Sequence, residues 1–386
     1  MNDQAIAAPS FVRLETGDRA PEFVQRTAEL PKFSYQNYAG RYLVLCFYGS
    51  AANPVGKSAI DAMLRHRAFF NDQRASFFGI SIDPEDETSG RVKDAKPGVR
   101  FMWDFDGTVS RLCGAAPQNE AFGAMTRYRR FWLIVDPTLH VLAVFPISAE
   151  DTEHKNLFAF LSGLPAPAAF AGFEVPAPVL ILPNVFEPAF CRHLIDLYKA
   201  DGGEESGVMR NNTGVLDRAM KSRRDFLLTD TDLIQQAQAR IVRRVLPEIR
   251  RVFFMNITRM ERYLVGCYAA EDGGHFTPHR DNTQPITAHR RFALSINLND
   301  DFEGGEVRFP EYNPRGYKAR PGWVVVFPCN ILHAVSKITS GSRYAFLPFV
   351  YDDEGAKIRE GYLHSLQKAE APVSVVPAER EGVVPA

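Results

Sequence analysis

His279 and Asp281 stand two residues apart in the segment HFTPHRDN. In an extended strand, residues i and i+2 project to one face, so this imidazole and this carboxylate can converge on a single metal ion. About fifty residues on, FPCNILHAV carries His333 just past the apolar run RPGWVVVFP, and Arg343 follows in GSRYAFLPFVYDD. Two histidines and one carboxylate form the facial ligand set of non-haem iron(II) sites, which leaves coordination positions open. A guanidinium pairs bidentately with a carboxylate, so Arg343 suits the far end of a dicarboxylate co-substrate. Together the four residues offer a metal seat and an anchor for a keto acid.

Positioning them takes a scaffold, and the composition allows one. At 386 residues the chain has room for two or three domains, each with its own core. Hydrophobic residues make up 45% and charged ones 24%, the balance of an ordinary globular protein rather than a disordered one. Lys+Arg number 45 against 46 Asp+Glu, so no global basic field recruits nucleic acid or an acidic membrane surface, and neither is expected as a partner. No apolar run is long enough to span a bilayer. The start, MNDQAIAAPSFVRLETGD, lacks the basic and apolar regions of a signal peptide. Cys46, Cys113, Cys191, Cys267 and Cys329 are widely spaced and odd in number, which fits a reducing cytoplasm better than a disulfide scaffold.

The clearest break is LPAPAAFAGFEVPAPV, where Pro165, Pro167, Pro176 and Pro178 stiffen a run of small residues. It divides the chain into a domain at 10–164, a linker at 165–178, a second domain at 179–353 and a tail at 354–386 without sustained periodicity. In the first domain RYLVLCFYG, ASFFGISID, RFWLIVDP and HVLAVFPI read as buried strands, with a helix over KSAIDAMLRHRAFFNDQ. Strands alternating with helices, then a hairpin, give an α/β domain with a mixed sheet. The second domain opens with helices over PAFCRHLIDLYKADGG and DTDLIQQAQARIVRRVLPEI. From Arg259 short strands separated by Gly, Asn, Asp and Pro signal a jelly roll, so this half is α+β with supporting helices.

These residues carry a resemblance. YLVGCYAAEDGGHFTPHRD, LSINLNDDFEGGEVRF and RPGWVVVFPCNILHAVSKITSGSRYAF, in that order, resemble the core of the prolyl 4-hydroxylase-type 2-oxoglutarate/Fe(II)-dependent dioxygenases. Upstream, VFEPAFCRHLIDLY and MKSRRDFLL resemble that family's supporting helix and the segment after it. The resemblance implies a double-stranded β-helix (jelly roll). His279, Asp281 and His333 would bind Fe(II), and Arg343 would hold the distal carboxylate of 2-oxoglutarate. Tyr268 is carried over as a hydrogen-bonding partner of the co-substrate and Asn297 as a second polar contact. The implied activity is hydroxylation of an unactivated C–H bond with release of succinate and CO2, using O2 as co-substrate and ascorbate as a candidate auxiliary. A prolyl residue of a protein or an amino-acid-like small molecule is the implied substrate, with specificity set by loops around 204–222 and 282–291. His275 reads as a loop histidine, the run His289–Arg290–Arg291 as a solvated start of a strand, and Cys267 and Cys329 as small buried fillers.

Residues 17–163 resemble a peroxiredoxin, a thioredoxin-like fold, through GDRAPEF, YLVLCFYGSAANPVGKSA, FFGISID, WDFDGTVSRLCG and RRFWLIVDP. The family's active loop has the form P-x-x-x-T-x-x-C. Here that stretch is GSAANPVG, with Gly49 for the proline, Asn53 for the threonine and Gly56 where the peroxidatic cysteine belongs. Arg130 corresponds to the activating arginine but has no thiolate to activate. Peroxide reduction needs an accessible low-pKa thiol, so this domain is expected to be non-catalytic and to engage a protein partner. GSAANPVGKS is not a P-loop either, because Ala51 stands where the first glycine must be. Two rival readings remain open at this point: a thiol peroxidase with an appended barrel, and a non-enzymatic iron or 2-oxoglutarate sensor.

Overall fold

The structure, a computed structural model, describes residues 9–123, 126–148, 151–210, 213–368 and 382–383. The chain divides into two compact units, residues 1–176 with 310–313, and residues 177–309 with 314–386.

The first unit is built on a five-stranded mixed sheet. Its strands are β1 (Tyr42–Gly49), β2 (Ala75–Ser81), β3 (Val99–Trp103), β4 (Phe131–Val135) and β5 (Val141–Pro146), in the order β3-β2-β1-β4-β5. β1, β2 and β3 run parallel, whereas β4 and β5 are an antiparallel hairpin added to β1. Every residue of β1 and β2 is buried, because both faces of the sheet are covered, one by helices and the other by Phe33, Tyr35 and Tyr38 around Phe78, so the strands become continuous apolar runs. α1 (Pro54–Arg65) and α2 (Asp151–Gly163) pack Ala59, Met63, Leu157 and Leu161 onto Val44, Phe77 and Trp132. β3 is a strand that the apolar pattern did not reveal, since VRFMW carries an arginine at its second position. That Arg100 is paired with Asp72 at 2.7 Å, which makes its burial tolerable.

In the second unit, α3 (Pro188–Asp201), α4 (Thr231–Arg244) and α5 (Leu246–Phe253) support a jelly roll of two sheets. α3 ends where Gly202 takes φ +90°, a left-handed conformation that favours glycine. The smaller sheet contains β6 (Lys221–Ser222), β9 (His275–His279), β14 (His333–Val335), β11 (Val307–Arg308) and β12 (Gly316–Tyr317), in that order. The larger contains β7 (Arg224–Leu227), β8 (Leu264–Ala269), β15 (Ser340–Phe346), β10 (Phe292–Asn297) and β16 (Phe349–Tyr351), with β13 (Val324–Pro328) also paired to β10. Strand alternation gives the larger sheet two faces. Val265, Cys267, Phe292, Leu294, Ile296, Tyr344 and Phe346 pack against Leu194, Ile195, Ala237 and Ile241 of the helices. The intervening residues Tyr268, Ser295, Asn297 and Arg343 therefore share the opposite face.

Two expectations need correction. The tail is not featureless after Asp353: α6 covers Asp353–Lys368. Its weak amphipathic pattern hid it, and its start is fixed by Asp352, whose carboxylate accepts from Gly355 N at 2.8 Å, followed by Asp353 and Glu354 in the first turn. His289 and Arg290 do not form a solvated run either. Both are fixed on buried Glu261, at 3.0 and 2.6 Å, and Arg291 reaches Asp352 at 3.0 Å. Among the described residues no helix is long and apolar enough to cross a membrane.

Candidate active site

β9 and β14 are paired so that His279 lies directly opposite His333, with a register shift between Phe276 and His279. The two rings are 4.2 Å apart, and Phe276 stacks on His279. Asp281 follows on the loop after β9 and is held by a backbone bond from its N–H to Cys329 O at 2.9 Å. His333 Nε2 lies 3.2 Å from one carboxylate oxygen of Asp281, and His279 Nε2 lies 3.6 Å from the other. One donor atom from each of the three falls within 4.8 Å of the others.

The remaining ring nitrogens decide the tautomers. His279 Nδ1 meets Thr277 O at 2.8 Å and His333 Nδ1 meets Ile331 O at 3.1 Å. A carbonyl only accepts, so Nδ1 carries the proton in each ring and both Nε2 lone pairs face Asp281. Burial, helped by His333, brings His279 down to about 4. Burial opposes the Asp281 charge, but the two imidazoles outweigh it and hold that carboxyl well below its usual range. A neutral His279 imidazole and an ionised Asp281 are protonation states that a cation requires.

Across the barrel interior, Arg343 is 1% exposed. Its Nε donates to Asn297 Oδ1 at 3.0 Å and its Nη2 to Ser295 Oγ at 2.7 Å. Nη1 is buried and has no hydrogen-bond partner among the described residues. Burial brings this guanidinium down to about 10, with Arg223 as a second opposing influence. A cation with weakened hydration and one unused donor is suited to a carboxylate.

Asn297, expected to meet the co-substrate, has its amide committed elsewhere: Oδ1 to Arg343 and Nδ2 to Ala319 O at 2.7 Å. Tyr268 stands opposite Arg343 in the β8–β15 register, its ring 5.4 Å from the guanidinium. His275 bonds Gly273 O and Ala219 O, away from the three convergent side chains. Three neighbours escaped the sequence. Ser295 supports Arg343; Arg223 donates to Tyr268 Oη at 3.2 Å; Lys221 places its Nζ 5.2 Å from the centre of the Phe276 ring. Burial and nearby Arg223 bring the Lys221 amine down to about 6. The charged alternation K-S-R-R-D was the available signal, since alternate positions of so polar a strand share one face.

In the first unit, Gly56 sits in the opening turn of α1. A Cβ on it would lie 2.2 Å from Ser50 O and 2.7 Å from Tyr48 O, so only glycine fits. Asn53 caps α1 by accepting from Val55 N and Gly56 N. Ser50 Oγ donates to Asp83 at 2.6 Å, and Arg130 Nε donates to Tyr48 O at 3.0 Å. Cys46 and Cys113 are buried, and burial pushes both thiols up, away from the thiolate.

Sequence comparison agrees with this architecture. Residues 263–351 match the 2OG-Fe(II) oxygenase superfamily, and residues 16–143 match the AhpC/TSA family. The chain carries an AhpC/TSA thioredoxin-like domain followed by a 2OG-Fe(II) oxygenase domain. A PKHD-type hydroxylase of Synechococcus sp. (strain JA-2-3B'a(2-13)) is 29% identical over 94 residues, covering 22% of this chain and 41% of that protein. Procollagen-lysine,2-oxoglutarate 5-dioxygenase of Drosophila melanogaster is 24% identical over 187 residues, covering 46% of this chain and 25% of that protein. A solved prolyl-4-hydroxylase of Pseudomonas putida is 15% identical with TM-score 0.36, over 46% of this chain and 94% of that one. The chain thus spans less than half the length of these two curated relatives. The oxygenase superfamily implies Fe(II), 2-oxoglutarate and O2. The residues present fit that set: two aligned Nε2 lone pairs and a carboxylate for the metal, and the unused Nη1 of Arg343 for a carboxylate.

Proposed function

We propose that this protein is an Fe(II)- and 2-oxoglutarate-dependent dioxygenase that hydroxylates an unactivated C–H bond of a prolyl residue or an amino-acid-like substrate. One observation carries the reading. Three convergent ligand atoms and a buried guanidinium with a free donor share the interior of one jelly roll. When loaded, such a site supplies oxidative decarboxylation of 2-oxoglutarate coupled to hydroxylation, with succinate and CO2 released.

In this reading His279, Asp281 and His333 hold the metal, and Thr277 O and Ile331 O keep both Nε2 atoms aimed at it. Arg343 receives the distal carboxylate. Asn297 and Ser295 act through Arg343 by fixing its Nε and Nη2, which leaves Nη1 free to donate. Tyr268 contributes a hydroxyl to the co-substrate. The apolar cluster of Tyr268, Phe302, Val335 and Ile338 between the sheets excludes water.

The first domain serves as a non-catalytic module for a protein partner or for presenting substrate. The enclosed Gly56 and the buried thiols support that role over peroxide reduction. The five free, buried cysteines support a reducing, cytoplasmic setting.

The test incubates purified protein with Fe(II), 2-oxoglutarate and cell extract, following succinate and products heavier by one oxygen. Succinate formation dependent on both additives, together with such a product, is expected. Iron-loaded protein that forms no succinate would leave the sensor reading standing. Rapid peroxide consumption with added dithiol would favour the thiol peroxidase.

A further inference from the structure

Tyr268 lies between two guanidinium groups, Arg343 at 5.4 Å and Arg223 at 5.6 Å from its ring. Only Arg223 bonds the hydroxyl, through Nη1 at 3.2 Å. Arginine has five N–H donors and no acceptor, so the phenol oxygen must accept in this contact. Its own single O–H proton is then left for another acceptor. No second partner of that hydroxyl is found among the described residues.

Arg223 is itself oriented. Its Nε and Nη2 meet the two oxygens of Asp225 at 2.5 and 2.7 Å, a bidentate pair that fixes the guanidinium plane and directs Nη1 at Tyr268. Arg262 closes on the same carboxylate at 3.3 Å. Burial opposes the Arg223 charge, yet Asp225 and Tyr268 more than restore it, so the group is a permanent donor. The pair comes from one short segment: Arg223 lies between β6 and β7, and Asp225 is the second residue of β7.

We infer that the Arg223–Asp225 pair is a positioning device that sets the polarity of the Tyr268 hydroxyl, so that Tyr268 presents its proton to the carboxylate-bearing co-substrate. The inference rests on the oxygenase reading above. It predicts an effect on co-substrate affinity, transmitted through one phenol, that leaves metal affinity alone. Arg223 is not a catalytic residue in this account, because it acts only through Tyr268.

A double-mutant cycle tests it, using the full chain loaded with Mn(II) as a redox-quiet metal and 2-oxoglutarate binding read by isothermal titration. Tyr268→Phe should weaken binding about tenfold, the scale of one hydrogen bond to a charged group. Arg223→Gln should weaken it by a similar factor, because a glutamine amide oxygen can accept and so capture the tyrosine proton. In the Tyr268→Phe background Arg223→Gln should change binding by less than about twofold, with Mn(II) affinity unaltered throughout. Arg223→Lys, still donor-only, should stay within about threefold of the parent.

Equal weakening by Arg223→Gln in both backgrounds, or none in the parent background, overturns the inference while the oxygenase reading stands. A parent protein that binds Mn(II) but not 2-oxoglutarate overturns both. Should Arg223→Gln not fold, the tyrosine Raman doublet, taken as the difference between parent and Tyr268→Phe, reads the same polarity directly. An accepting phenol without 2-oxoglutarate, shifting toward donation on its addition, supports the inference. A donating phenol before addition sinks it.

Discussion

The two domains each place a polar turn at the end of a buried strand, and they treat it in opposite ways. After β1, the loop from Ser50 to Gly56 closes on itself: Asn53 caps α1, Ser50 bonds Asp83, Arg130 bonds Tyr48 O, and Gly56 is pressed against two carbonyls. Between the sheets of the second domain, polar atoms converge on the interior instead. They are the Nε2 atoms of His279 and His333 around Asp281, and Nη1 of Arg343. Buried polar groups are nearly always paired, so leftover donors and acceptors that converge mark where a ligand completes the structure.

The strongest way to break this contrast is to remove a ligand. His333→Ala leaves only His279 and Asp281, and Fe(II) or Mn(II) affinity should fall at least about tenfold, with turnover abolished. Isothermal titration of the metal checks it, and unchanged affinity would move the third ligand elsewhere. Arg343→Ala should raise the 2-oxoglutarate concentration needed for turnover by about a hundredfold, since it leaves a buried carboxylate without its cation. Arg343→Lys keeps the charge without the fork and should fall between. Succinate formation against 2-oxoglutarate concentration, with metal content measured in each protein, gives the ranking, and an equal 2-oxoglutarate requirement for parent and Ala variant would remove the anchor.

On the other side of the comparison, Gly56→Cys should not create a peroxidase. The new Cβ must displace Ser50 O or Tyr48 O, so the variant is expected to lose about 1–3 kcal/mol of first-domain stability without rapid peroxide turnover. Fast turnover with dithiol would show a loop that kept its catalytic geometry. A further effect concerns pH. Asp104 is fully buried and capped by Val109 N and Ser110 N, yet burial raises its carboxyl from 3.8 to about 6. Between those values the unfolded chain has released a proton that the folded chain retains, so first-domain stability should decrease as pH rises from about 4 to about 6, by up to about 3 kcal/mol. Hydrogen exchange of β2 and β3 amides across that range reads the slope. Asp104→Asn should flatten it, and a slope that persists in this variant assigns the effect to another group.

Much of this was legible in the chain itself. The period-2 pattern of Phe292, Leu294 and Ile296 against Ser295 and Asn297 fixes which side of β10 faces the helices, because alternate residues of a strand must diverge. The H-x-D pair, His333 and Arg343 were readable because local spacing and residue type carry their chemistry. That glycine stands at 56, where the peroxiredoxin resemblance would place a thiol, was readable for the same reason. Only tertiary structure decided the rest. The pairings of His279 with His333 and of Tyr268 with Arg343 join residues more than fifty positions apart, and the register depends on the β9 irregularity and on strands brought together by folding. Asn297 turned to Arg343, and His289 and Arg290 turned to Glu261, because a buried polar group takes the partner that packing brings within reach. Arg223 gained its part the same way. The segment Lys221–Asp225 looks like a solvated charge run in one dimension, and it becomes the wall of a polar site only when β6 pairs with β9 and β7 with β8.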